Sequence, residues 1–222
     1  MRSAFDKLIS WTGLALAAVL LVAGGLLTWA NTFINDQVVD QLGMQNITMP
    51  EGEALASLPE ADQDALEPYA GSPMDTGAEA KAYADHYILV HMNGSGAGTL
   101  EQFPPPAEIE VPEGPITYST ASDIGRTLSA QVAENPNATE EEKAAADAWM
   151  GLRETLFMGN TLRGLLLYGY AFATIGTIAG IAAIVSFAGA AFLLVLFALG
   201  LVHARRAARA EVPAVNTVPL HA

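Results

Sequence analysis

Apolar and polar positions divide the chain into two uncharged runs separated by about 130 mixed residues. The longer run, Gly164 to Val202 (GLLLYGYAFATIGTIAGIAAIVSFAGAAFLLVLFALGLV), holds about 39 residues and is closed by Arg163 on one side and His203-Ala204-Arg205-Arg206 on the other. A helix crosses a bilayer core in about 20 apolar residues, so this run is nearly twice the length of one crossing. Two crossings would need a turn inside it. The run contains no Pro, Asn, Asp or charge, and a turn exposed to lipid leaves backbone groups unpaired. One long helix is therefore expected, with the span itself at 173–202 and its first turns, Leu165 to Phe172, standing above the membrane.

The shorter run, Leu8 to Ala30, has about 23 residues with Trp11 and Trp29 near its ends, where aromatic anchors sit. It predicts a first span at 8–30 after a tail at 1–7, in which Ser3 and Asp6 have the spacing of a helix cap. It exceeds the apolar core of a cleavable signal peptide, and Thr28-Trp29-Ala30 is a poor cleavage site.

Between the runs the pattern is mostly helical. Phe33, Ile34, Val38, Val39 and Leu42 keep helical spacing, so the first helix is expected to project to a stop at Gly43. Short helices are expected over Glu53 to Leu58 and Glu60 to Leu66, punctuated by Pro50, Pro59 and Pro68. Thr76 with Glu79 forms a capping box before a helix over Ala80 to Met92. Asn93 to Thr99 (NGSGAGT) reads as a flexible linker, and Phe103 to Pro115 (FPPPAEIEVPEGP) as an extended proline-rich loop with at most a short strand. Ser122 to Val132 predicts a helix, Asn135-Pro136-Asn137 a break. Thr139 with Glu142 is a second capping box, opening a helix through Trp149 and Leu156 that joins the second span across Gly159.

Charge orients these elements. Basic residues flank the two spans on the tail sides, whereas the intervening segment holds 22 of the 24 acidic residues and five of the ten basic ones. Positive flanks stay cytoplasmic, so both termini are expected inside and the middle segment outside. The fold class expected is mainly α: two transmembrane helices, N-in and C-in, flanking an exported helical domain at 31–172, with a cytoplasmic, disordered tail at 203–222. A net charge of −14 argues against nucleic acid, whose phosphates need Lys and Arg. The absence of cysteine removes disulfides and thiolate metal sites.

Few residues invite chemistry. His86 and His91 are five apart, about 140° around a helix, unlike the four-residue spacing of a zinc pair. His91 reads as a satisfied core or interface histidine and Asp85 as a solvated or capping partner. Asp62-Gln63-Asp64 opens like a calcium loop but lacks the glycine and glutamate that complete one. Arg153 and Arg163 are expected to pair with Glu154 near the membrane surface. The sequons at Asn46, Asn93 and Asn137 carry no argument in a composition of bacterial type. No ionisable residue lies within either span, which removes the usual mark of a proton relay or ion path. Gly176 and Gly180 form a GxxxG, extended by Ala182, Ser186 and Ala190, and Gly13, Ala17, Gly24 and Gly25 give the first span a matching small face. Pairing of the spans with each other is favoured over homodimerisation. No catalytic residue, cofactor or metal is expected. Tyr83, Tyr87, His91, Leu165 and Tyr168 are the candidate interface or ligand residues.

Glu53 to Met92 (EALASLPEADQDALEPYAGSPMDTGAEAKAYADHYILVHM) and Thr161 to Phe172 (TLRGLLLYGYAF) resemble a family of actinobacterial membrane proteins of unknown function, with two spans flanking an exported domain. The resemblance covers most of the chain through Val202, with Gln102 to Pro115 as an insertion. Relatives are often labelled an aromatic ring-opening dioxygenase subunit. Such enzymes need iron held by two His and a carboxylate, an arrangement this sequence does not offer. The expectation is a non-enzymatic accessory or assembly subunit of a larger membrane complex, such as a respiratory supercomplex, bound by lipid and by other integral membrane subunits. The alternative is an extracytoplasmic ligand-binding or sensing module.

Overall fold

A computed structural model describes residues 2–210 of the chain, with side chains described over 8–206. The elements are α1 (Arg2–Gly43), α2 (Gly52–Ala56), α3 (Glu60–Leu66), a 3₁₀ turn (Glu67–Tyr69), α4 (Gly77–Tyr83), a π turn (Ala84–Ile88), α5 (Leu89–Gln102), α6 (Tyr118–Glu134) and α7 (Glu140–Ala210). The protein is mainly helical, and among the described residues no strand occurs; Thr48 and Pro73 form one isolated antiparallel bridge. The side chains of the predicted Ser3–Asp6 cap and the tail beyond Ala210 lie outside what the structure describes. The stretch 203–210, expected to be disordered, continues α7 as helix.

The long apolar run is one unbroken helix. α7 extends over 71 residues, about 107 Å at the rise of an α-helix, and α1 over 42. Both are long and apolar enough to cross a membrane. Only 11% of the apolar window of each is buried, which separates them from the core helices of a soluble protein.

The chain divides into two units: residues up to Asn35 with those from Ile175 onward, and Asp36–Thr174. In the first unit α1 and α7 lie antiparallel. Trp11 meets Phe197 edge-on at 5.8 Å, and a Cβ added to Gly24 would meet the Phe187 ring at 2.9 Å. Ser10, Ala17 and Gly24 are buried seven residues apart and Asn31 continues the series; Gly176, Ala183 and Ala190 do the same on α7, followed by the half-buried Phe197 and the buried Ala204. A seven-residue repeat is the one that keeps a seam facing its partner in a left-handed pair. The seam follows that repeat, and both glycines of the GxxxG lie against α1, Gly176 at Ile34 and Gly180 at Asn31.

The second unit has its core where α4 to α6 meet the first half of α7 and the end of α1. Leu66, Met74, Ala80, Ala84, Ile124, Trp149, Leu156 and Leu166 are at most 2% exposed. Both predicted capping boxes are present. Thr76 Oγ1 accepts from Glu79 N at 3.3 Å while Thr76 N donates to the Glu79 carboxylate at 2.9 Å; Thr139 and Glu142 do the same at 3.2 and 2.7 Å. Each pair satisfies donors that a helix start leaves free.

The NGSGAGT stretch is a correction: it is helical, continuous with α5 to Gln102. Each glycine in a helix costs about 1 kcal/mol against alanine, and here close packing offsets that cost. Gly96 is buried, and a Cβ there would meet Ile116 Cβ at 3.0 Å. The core positions of α4 and α5, Ala80, Ala84, Ile88, Met92 and Gly96, fall four apart. In a uniform α-helix such positions drift around the axis by about 40° at each step. The wider π turn at Ala84–Ile88 absorbs that drift and keeps the row facing inward.

Gly77, at the start of α4, touches α7. A Cβ there would stand 2.5 Å from Ala173 Cβ and 3.1 Å from Tyr170 Cα. Gly77→Ala is expected to destabilise this unit by about 1–3 kcal/mol, although alanine is the better helix former. An unchanged thermal midpoint in mild detergent would refute this packing.

Candidate functional site

The residues singled out for interaction gather on the α4–α5 rod and the middle of α7. Tyr83 and Tyr87 stack at 4.8 Å between ring centroids, and Tyr87 meets His91 at 4.3 Å. Burial pushes the Tyr83 phenol above its ordinary value, with a smaller contribution from Tyr87. His91 is exposed and is not a core histidine. Its Nδ1 lies 2.8 Å from the Tyr87 carbonyl oxygen; a carbonyl only accepts, so Nδ1 carries the proton and donates. The ladder is a set of side chains packed on one another. The larger cavities described in this unit lie elsewhere, one of about 600 Å³ between Pro104, Leu128 and Glu142.

Next to the ladder lies a charged cluster. The Asp85 carboxylate, at the π turn, accepts from Lys81 Nζ at 2.7 Å and from Arg163 Nη2 at 2.8 Å. Burial alone would raise the Asp85 pKa, but the hydrogen bonds and charges of Lys81 and Arg163 outweigh it and hold it below its ordinary value. The hydrogen bond to Asp85, reinforced by its charge, raises the Lys81 ammonium. Arg163 thus pairs across 78 residues with Asp85 and not with Glu154, and the Arg153 guanidinium lies 5.8 Å over the Tyr118 ring. His86 Nδ1 stands 2.8 Å from Asp62 Oδ1, which gives the aspartate of the calcium-like stretch a partner. Among the described residues no group of three or more His, Asp or Glu converges as a metal site would.

These contacts fix one face of α7 and leave the other bare. Leu166 is buried, a Cβ on Gly169 would meet Leu42 at 3.5 Å, one on Gly159 would meet Met92 Sδ at 2.6 Å, and Arg163 is held by Asp85. On the opposite side Phe157, Met158, Leu165, Tyr168 and Phe172 are exposed, Leu165 by 58%, Tyr168 by 67% and Phe172 by 57%. Single exposed apolar residues are ordinary; a row over four helical turns is not.

The helix-packing residues are placed as follows. Ala17, Gly24 and Gly176 are buried in the seam, and Gly13, Gly180 and Ser186 are half-buried. Gly25 is exposed with nothing near it. Ser186 Oγ donates to Ala182 O at 2.8 Å, within its own helix. The residue that sequence reasoning missed is Asn31, whose Nδ2 donates to Gly176 O at 2.7 Å. A Cβ on Gly180 would meet that same Nδ2 at 3.0 Å, so the glycines make room for the amide. The signal that could have found it was the Ser10, Ala17, Gly24, Asn31 repeat. No protein-family model, curated protein or solved structure matches this chain.

Proposed function

We propose that the chain is a non-enzymatic accessory or assembly subunit of a larger membrane complex, akin to the actinobacterial two-span family it resembles, with both termini cytoplasmic and the 36–174 unit outside. The observation that carries this reading is the bare apolar row on α7. Arg163, Asp85 and Lys81, with the Lys81 ammonium 5.8 Å from the Tyr170 ring, put charges beside the same turns. Charged groups are expensive in hydrocarbon even when paired, so this level of α7 lies above the bilayer core and acyl chains do not cover Leu165 and Tyr168. A protein partner does, and a respiratory assembly is the partner class proposed.

The test is gentle extraction of the tagged protein from its native membrane, followed by mass spectrometry of what accompanies it. Near-equal amounts of an integral membrane complex are expected with the native chain. With Leu165, Tyr168 and Phe172 all changed to Gln, at least ten-fold less should accompany it, while the thermal midpoint stays unchanged. A chain that runs alone would sink the proposal.

A further inference from the structure

At the end of the helix pair that carries Leu8 and His203, α1 and α7 leave a groove of about 730 Å³ lined by Leu8, Ile9, Gly13, Leu16, Leu196 and Phe197. Its volume falls in the range of sites that take small molecules. The hydroxyls at its edge are already engaged within the protein: Thr12 Oγ1 donates to Leu8 O at 3.0 Å, and Ser10 is buried against Gly200. A Cβ added to Gly13 would find nothing within 4 Å, so the groove floor is open at that glycine. A predominantly apolar groove open sideways on a spanning pair admits hydrocarbon.

The charge near it in the sequence is predominantly basic. His203 lines the groove, and Arg205 and Arg206, both exposed, follow within a turn. No acidic residue occurs between Glu154 and Glu211; before Leu8 the sequence adds Arg2 and Lys7 against Asp6 alone. Guanidinium groups bind phosphate through two parallel hydrogen bonds, and basic groups at a membrane surface attract anionic lipid. We propose that this groove holds an acyl chain of one anionic phospholipid whose phosphate is bound by Arg205 and Arg206. The proposal rests on the membrane-spanning reading, which alkaline extraction of the same membranes tests separately.

The full-length protein is delipidated and returned to nanodiscs of equimolar phosphatidylglycerol and phosphatidylcholine, and the lipid it retains is counted by native mass spectrometry. At least ten-fold more phosphatidylglycerol than phosphatidylcholine is expected. Gly13→Leu, which fills the groove, should abolish retention, whereas Gly25→Leu, on an open face, should leave it intact. Arg205→Gln with Arg206→Gln should bring the ratio of the two lipids near one. Equal retention of both lipids by the native chain, or phosphatidylglycerol kept by Gly13→Leu, would overturn the proposal. Should Gly13→Leu fail to insert, the arginine variant decides alone, and an unchanged lipid ratio there is equally fatal.

Discussion

Changing Trp149 to Ala is expected to lower the stability of the 36–174 unit by about 3–5 kcal/mol, the cost of emptying a large aromatic site in a core. Trp149 is 0% exposed, and its Nε1 donates to the Phe103 carbonyl at 2.9 Å. That bond ties the proline-rich loop to α7. Its backbone has few other options, since five of the thirteen residues from Phe103 to Pro115 are prolines, at 104, 105, 106, 112 and 115, and prolines supply no N–H. Trp149→Phe separates the two contributions. It keeps most of the apolar volume and leaves Phe103 O without its donor, for an expected cost of about 1–3 kcal/mol. Thermal melting in detergent reads the stability. Limited proteolysis reads the loop, and cleavage within 103–115 should accelerate in Trp149→Phe by more than its loss of global stability explains. Equal cleavage rates would show that the indole N–H does not hold the loop.

The second large effect is expected at Glu79. It is 8% exposed, and its carboxylate accepts from Ser72 Oγ at 2.9 Å, Asp75 N at 3.0 Å, and Thr76 N and Oγ1 at 2.9 Å each. Burial pushes its pKa up, but the hydrogen bonds from Asp75, Thr76 and Ser72 prevail and hold it below its ordinary value of 4.5. Glu79→Gln puts an amide N–H₂ among these donors and removes the charge, with an expected cost of about 2–4 kcal/mol, since hydrogen bonds to charged groups are the stronger ones. The pH dependence follows from the direction of the shift. A group whose folded pKa is depressed contributes stability that is present above its unfolded value and lost as pH falls through the folded one. Asp85, also depressed, from 3.8, acts in the same sense. Stability should therefore hold from neutrality to about pH 5 and decline below it. Glu79→Gln should be less stable at pH 7 and flatter in acid. Parallel acid profiles for the two proteins would refute the assignment.

What the sequence made legible was local. The two capping boxes each lie within four residues, and the length and purity of the apolar runs needed no tertiary information to read as long helices. Contacts across the chain were hidden. Asp85 finds Arg163 across 78 residues and Asn31 finds Gly176 across 145, and nothing near either residue announces its partner. The glycine-rich part of α5 misled for a related reason. Its composition favours a linker in isolation, and only the approach of Ile116 shows that Gly96 is there for want of a side chain. The interaction row on α7 was half visible. The excess length of the apolar run showed that something must cover it, but which residues α1 and α5 cover and which stay bare depended on the contacts of Leu42 and Met92.

The π turn also has a consequence for how this chain can vary through descent. Losing one residue from a regular helix turns everything after it by about 100° and carries a buried row out of its core. At Ala84–Ile88 the helix already holds one residue more than regular turns require. A lineage that deleted it would keep an unbroken rod and would need only to respace its apolar positions from strict fours to alternating threes and fours. Single-residue length changes among descendants of this sequence should therefore collect at this turn, accompanied by shifts at the positions of Met92 and Gly96.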